Sequence, residues 1–313
     1  MGLFDKRDAV KPYEYDVQPF IDAIFHSFRI HSEYNYTPDI QDYRVNMTDE
    51  EREIAKRCML AISHIEVSVK SFWSNLNLHV WAPEVANVWA VFWSNEIQHF
   101  QFYSNLLDIL WLNGEFETIL HIPAIKKRID LLNKWMEWGF INKLIFFTLF
   151  TENVSLFSQF LCLMSINKHK TYLKGMSNWI SASTKDEFLH TNFWVFLINT
   201  IKKEYPDMIN KETFKWIVDL VTECLANEIE IVDWIFEKWD LPYLRKQDIK
   251  QYIEYRMWLW LNMIGMEFNW HNCPECFDWF ELELSATSDI DFFNKRSINY
   301  SKKAKSITED DLF

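Results

Sequence analysis

Apolar residues recur along most of this chain at intervals of three and four, the period of helices with one buried face. Ile62, Ile65, Val69, Phe72 and Leu76 form one such stripe, and Glu66 lies at its border. The helix carrying it is predicted to open at Thr48-Asp49-Glu50-Glu51 and to run to about Leu78. A hydroxyl there precedes a carboxylate by three residues, the reciprocal cap that satisfies free N–H groups at a helix start. Pro83 opens a second helix, to about Leu112, because proline in a first turn forfeits no hydrogen bond. From Pro123 a long helical region continues to about Asn167, with a break near Trp138-Gly139. Further helices are predicted from Asn178 to Lys203, Lys211 to Lys238 and Lys246 to Gly265, with a shorter one from Val17 to Arg29 in an N-terminal arm. No Asn-Gly or Asp-Gly separates alternating apolar runs, so no hairpin is predicted. From Asn269 the regular pattern fades, and the last twenty residues are polar, as in a mobile tail. The pattern predicts an all-α bundle with residues 1–290 as a single domain, including the arm, and residues 291–313 as a flexible tail.

Composition narrows the function classes. A net charge of −13 argues against nucleic acid, whose binders carry a basic face. With 16 Trp and 26 Phe among 313 residues, the core is expected to be large and aromatic. The stretch Leu144–Ile166 is the most membrane-like, but it carries Glu152, Asn153 and Gln159 and reads as a buried helix, with no membrane partner. Met1–Asp8 is polar and charged, unlike a signal peptide. Cys58, Cys162, Cys224, Cys273 and Cys276 are odd in number and scattered, which fits reduced thiols in the cytoplasm. Cys273 and Cys276, with His271 nearby, lack the second cysteine pair that a structural zinc normally needs.

Two short motifs carry the chemistry: Glu96-Ile97-Gln98-His99 and Glu187-Phe188-Leu189-His190. Residues three apart on a helix are neighbours, so each motif aims a carboxylate and an imidazole at one spot. Glu66 and Glu152 lie in apolar helical stretches and supply two further carboxylates. Four carboxylates in an apolar interior are prohibitive unless compensated. Two divalent cations compensate them formally, and this set matches the dimetal-carboxylate sites of ferritin-like bundles. Oxygen donors with some nitrogen suit iron or manganese. Tyr103 follows His99 by four residues, on the same face and near the ligands. Beside a redox-active centre it is a candidate one-electron donor, and the phenol must give up its proton with the electron.

These residues resemble the small, radical-generating subunit of class I ribonucleotide reductase over essentially the whole chain. The resemblance is carried by NEIQHFQFY (95–103), Glu152, KDEFLH (185–190), DFFNKRSINY (291–300) and the terminal EDDLF (309–313). It implies a ferritin-like fold in which Glu66, Glu96 and His99 hold one metal and Glu152, Glu187 and His190 the other. Glu96 and Glu187 would bridge. It further implies that Tyr103 stores a radical made with dioxygen, that Asp186 orients a metal-bound histidine, and that Tyr300 relays the radical. The partner implied is the large subunit, docked through the C-terminal tail, with a homodimer of the small subunit. The cofactor implied is a diiron centre, with manganese–iron and dimanganese pairs as the other options. Glu66 stands where many tyrosyl-radical members carry Asp, and Glu there also occurs in metal-variant members. The family's N-terminal relay tryptophan would fall near Arg29, yet no Trp precedes Trp73, which leaves Tyr34 or Tyr36 for that role. The alternative class is a ferritin-like dimetal oxidase acting on its own small-molecule substrate, which would need neither Tyr300 nor the acidic tail.

Overall fold

The computed structural model describes residues 2–6, 13–75, 78–135, 138–266 and 272–291. Among these residues there is no strand; Leu241 and Leu244 form one isolated bridge. Two long helices, α3 (Asp49–Asn75) and α4 (Pro83–Leu110), pack along each other. A second group completes the bundle: α8 (Phe157–Lys170), α9 (Lys174–Glu204), α10 (Lys211–Ile235) and α11 (Lys246–Met263). Shorter elements surround them: α1 (Gln18–Ser27) and α2 (Thr37–Gln41) in the arm, then α5 (Asn113–Thr118), α6 (Pro123–Trp135) and α7 (Phe140–Phe146). The core is aromatic, with Trp89, Trp179, Trp194 and Trp260 all buried.

Local chemistry explains the helix ends. At the start of α3, Glu51 N–H donates to Thr48 Oγ1 (3.3 Å) and Thr48 N–H donates to Glu51 Oε2 (3.1 Å), the reciprocal cap read from the sequence. Gly139 is extended and separates α6 from α7 at the predicted break. The start of α9 is capped from the arm: Asp39 accepts from Gly175 N–H (2.9 Å) and Met176 N–H (2.6 Å). A carboxylate suits the positive end of a helix. Gly175 is required there, because a Cβ would lie 2.4 Å from the Asn35 carbonyl oxygen. The arm therefore crosses α9 at backbone contact.

Two features depart from the predicted elements. Between α7 and α8, residues Phe147–Ser155 form a π-helical stretch, so the run from Phe140 to Lys170 widens where Glu152 sits. Such wide turns recur at functional sites. The fading predicted from Asn269 is also corrected: α12 (Asp278–Asp291) follows a short turn and packs on α9. Phe277 from that turn and Phe280 and Leu284 from the helix are buried, a stripe too short to stand out beside the exposed Leu282. The run Phe140–Lys170 is long and apolar enough to cross a membrane by composition, and its most apolar window is entirely buried in the bundle.

Candidate metal centre

Four elements each bring acidic side chains to one point in the core. Glu66 comes from α3, Glu96 and His99 from α4, Glu152 from the π-helical stretch, and Glu187 and His190 from α9. None is more than 2% exposed. Their ligand atoms fall into two groups, Glu66–Glu96–His99 and Glu96–Glu152–Glu187–His190, and Glu96 belongs to both.

The two motif glutamates span the pocket between the imidazoles. Glu96 Oε2 is 3.4 Å from His99 Nδ1, and its Oε1 is 3.0 Å from His190 Nδ1. Glu187 repeats this, with Oε1 3.1 Å from His99 Nδ1 and Oε2 3.5 Å from His190 Nδ1. Glu152 Oε1 lies 3.8 Å from His190 Nδ1, and its Oε2 accepts from the Trp194 indole N–H at 2.8 Å. Neither oxygen of Glu66 has a hydrogen-bond partner among the described residues. A buried carboxylate without donors is a cost that a cation removes.

The electrostatics fit the same account. Burial raises Glu66 well above the usual carboxylate range, and Glu96 and Glu187 push it further. Burial raises Glu152 too, again with Glu187 and Glu96 contributing. Burial also works to raise Glu96, but His99 and His190 outweigh it and hold that carboxyl at about 2. For His190 burial lowers the pKa, yet hydrogen bonds to Glu187 and Glu96 bring it up to about 10. Without cations the pocket balances its charge with protons.

Around this cluster, His99 Nε2 is 3.1 Å from Asp186 Oδ2, which leaves Nδ1 facing the carboxylates of Glu96 and Glu187. An outer carboxylate of this kind fixes the tautomer of a metal-binding histidine. Arg29 donates from its guanidinium to the same Asp186 oxygen and is itself buried. Where the resemblance led one to expect an indole, the structure therefore has a cation. Burial favours the neutral form of Asp186, but Arg29 and His99 outweigh it and keep the group below its ordinary value. Tyr103 is buried, with its hydroxyl unpartnered among the described residues. Burial, then Glu66, Glu187 and Tyr36, raise its pKa well above that of a free phenol. Tyr300 and the EDDLF terminus lie outside the described residues.

Sequence reasoning missed Trp194 and Trp179. Trp194 follows His190 by four residues and Trp179 precedes Asp186 by seven, helical spacings that point toward the same site.

The carboxylate–histidine pocket between four helical elements defines the class: a ferritin-like bundle whose core cluster fits a dinuclear metal site. The chain belongs to the ribonucleotide reductase small-chain family, whose model matches residues 9–274. Among its relatives is the probable ribonucleoside-diphosphate reductase small subunit 048L of Invertebrate iridescent virus 3. The two are 24% identical, covering 96% of this chain and 86% of the viral one. The fold is similar to that of the ribonucleotide reductase R2 subunit from Clostridium botulinum, with a TM-score of 0.80 at 16% identity over 91% of this chain and 94% of that one. It is also similar to an R2-like ligand-binding oxidase variant with a reconstituted Mn/Fe cofactor, with a TM-score of 0.68 at 15% identity over 83% and 96% of the two chains. The reading of this sequence as a reductase small subunit in a ferritin-like fold is therefore borne out.

Proposed function

We propose that this chain generates and stores the radical that a ribonucleotide reductase large subunit uses to reduce ribonucleotides. The observation that carries the reading is the placement of Glu96 and Glu187, each with one oxygen toward His99 Nδ1 and the other toward His190 Nδ1. In this reading Glu66, Glu96 and His99 would hold one metal and Glu152, Glu187 and His190 the second, with the two motif glutamates shared between them. A metal pair held there, when bound, supplies the electrons that reduce dioxygen and then accepts one electron from the protein. Iron is the metal we propose. A manganese–iron pair, as in the oxidase named above, is the other option.

The remaining roles belong to the chain. Asp186 holds His99 with Nδ1 turned inward. Trp194 holds one oxygen of Glu152 and leaves the other for metal. The Phe102 ring packs on the buried Tyr103 and helps exclude water from it, so Tyr103 keeps its proton until the electron also leaves. Tyr300 and the acidic, apolar-ended tail then serve docking and relay to the large subunit, with the small subunit itself a homodimer. All five cysteines are free, in keeping with a cytoplasmic location.

The test loads metal-free protein with ferrous iron under oxygen and reads metal stoichiometry and the electron paramagnetic resonance spectrum. Wild type should take up two metals per chain and give a tyrosyl signal, and Tyr103→Phe should keep the metals and lose that signal. Deleting Thr308–Phe313 should spare both readouts and abolish nucleotide reduction with the large subunit. A truncated protein that retained full reduction at limiting large subunit would remove the tail from this account, and a full-length protein that loaded metal yet supported no reduction would favour the self-contained oxidase.

A further inference from the structure

Arg29 closes one route out of the metal centre and Trp179 offers another. A guanidinium cannot be oxidised to a radical, so the chain Arg29–Asp186–His99 carries charge balance and no electron. Trp179, on α9, stands edge-on to the His99 imidazole with ring centroids 6.2 Å apart. Its other face is stacked on Phe102, at 4.9 Å and 22°, and Phe102 in turn touches Tyr103 at 4.7 Å. Toward the arm, Trp179 meets Tyr34 edge to face at 5.2 Å. Tyr34 is half-buried and belongs to the segment that crosses α9. Trp179 is thus the one indole among the described ring contacts that touches both a centre histidine and an oxidisable ring toward the surface.

We propose that Trp179 and Tyr34 form the electron route between the metal centre and the protein surface, in place of an indole at position 29. This rests on the redox function proposed above. The oxidant is the metal centre after its reaction with dioxygen. One electron leaves the Trp179 indole for that centre, which is reduced by one electron, and no bond is made or broken. The Trp179 Nε1–H has no hydrogen-bond partner among the described residues, so the oxidised indole keeps its proton. Tyr34 then gives an electron to Trp179 and its phenolic proton to water, leaving a neutral phenoxyl. The Arg29 guanidinium lies 5.7 Å from the centre of the Trp179 ring and disfavours a positive charge there, so Trp179 passes the hole and does not store it.

The experiment compares iron-loaded wild type, Trp179→Phe, Trp179→Tyr and Tyr34→Phe. Metal stoichiometry and initial radical yield are measured first. Hydroxyurea, a water-soluble one-electron reductant, is then added and the decay of the resonance signal is followed. Trp179→Phe and Tyr34→Phe should slow the decay, normalised to each protein's initial signal, by roughly tenfold or more with normal metal content, and Trp179→Tyr should restore most of the rate. In Tyr103→Phe protein carrying ring-deuterated tryptophan, freeze-quenching should trap an isotope-narrowed indole signal that the added Trp179→Phe change removes. Wild-type decay rates in both single variants would overturn the route while leaving the function intact. If Trp179→Phe fails to fold, Tyr34→Phe decides alone. Wild-type protein that yields no oxidised centre would overturn the function and the route together.

Discussion

Arg128 and Glu228 form a buried pair whose loss should be felt both in stability and at the metal centre. Arg128 on α6 donates from Nε to Glu228 Oε1 (2.9 Å) and from its second terminal nitrogen to Oε2 (2.7 Å), and both side chains are almost fully buried. The pair reaches two ligand-bearing elements. Arg128 also donates to the Ala61 carbonyl of α3, five residues before Glu66, and Ser155, three residues after Glu152, donates to Glu228. Arg128→Met keeps most of the side-chain volume and strands the Glu228 charge. Stranding one member of a buried ion pair costs about 3–5 kcal/mol. In a chain of this size that lowers the melting temperature by on the order of 10 °C. Replacing both members, with Glu228→Leu added, removes the stranded charge and leaves the Ala61 carbonyl and Ser155 hydroxyl without those partners, at about 1–2 kcal/mol in total. The double variant should therefore be more stable than the single one. Urea unfolding of metal-free protein, followed by circular dichroism, measures the stabilities, and titration with ferrous iron measures the weakened metal affinity expected of Arg128→Met. A loss below about 1 kcal/mol in Arg128→Met, or a double variant no better than the single, would refute the reasoning.

Other outcomes follow from the same geometry. Glu96→Ala and Glu187→Ala should each abolish stable loading of two metals, because each removes a carboxylate proposed to bridge; two metals bound at wild-type affinity in either variant would contradict the proposed ligand set. His190, held up to about 10 where a free imidazole sits near 6.5, stabilises the metal-free fold fully below the lower value and loses that contribution as pH rises through the higher one. Glu66 and Glu152, raised by burial, act in the same direction. Thermal melts of metal-free protein should therefore fall between pH 7 and 10 while iron affinity rises, and flat profiles would exclude this proton-for-metal exchange. Gly175→Ala should cost roughly 1–3 kcal/mol, since the methyl group meets the Asn35 carbonyl backbone, and an unchanged urea midpoint would show that the arm yields freely.

The carboxylate–histidine cluster was legible because helical spacing alone makes neighbours of Glu96 and His99, and of Glu187 and His190. The capping box at Thr48 and the break at Gly139 were legible for the same reason: each depends on residues close in sequence. Arg29 and Asp186 are 157 residues apart, and no local pattern announces that they meet. The π-helical stretch was equally hidden, since its apolar residues fit an α-helical period as well. Trp179 looked like one more core aromatic, and only tertiary packing sets it between His99 and Tyr34. The stripe that makes α12 is three residues long, too brief to separate from irregular chain until α9 lies against it.

The apolar run Phe140–Lys170 has a consequence for how the protein is made. Once synthesised, it is covered by α3, which precedes it, and by α9, α10 and α11, which follow. A ribosome that has just finished Lys170 has not yet translated most of that cover, so the segment leaves the ribosome before α10 and α11, the latter ending at Met263, have been made. During that interval it competes for chaperones, for self-association and for membrane-insertion machinery, which reads hydropathy alone. Glu152, Asn153 and Gln159 then matter before any metal arrives. They burden insertion into lipid and keep the nascent segment waiting for its helical partners. A chain in which these three were made apolar to relieve the cost of their burial would lose the metal centre and, at the ribosome, the signal that sends it to fold in water.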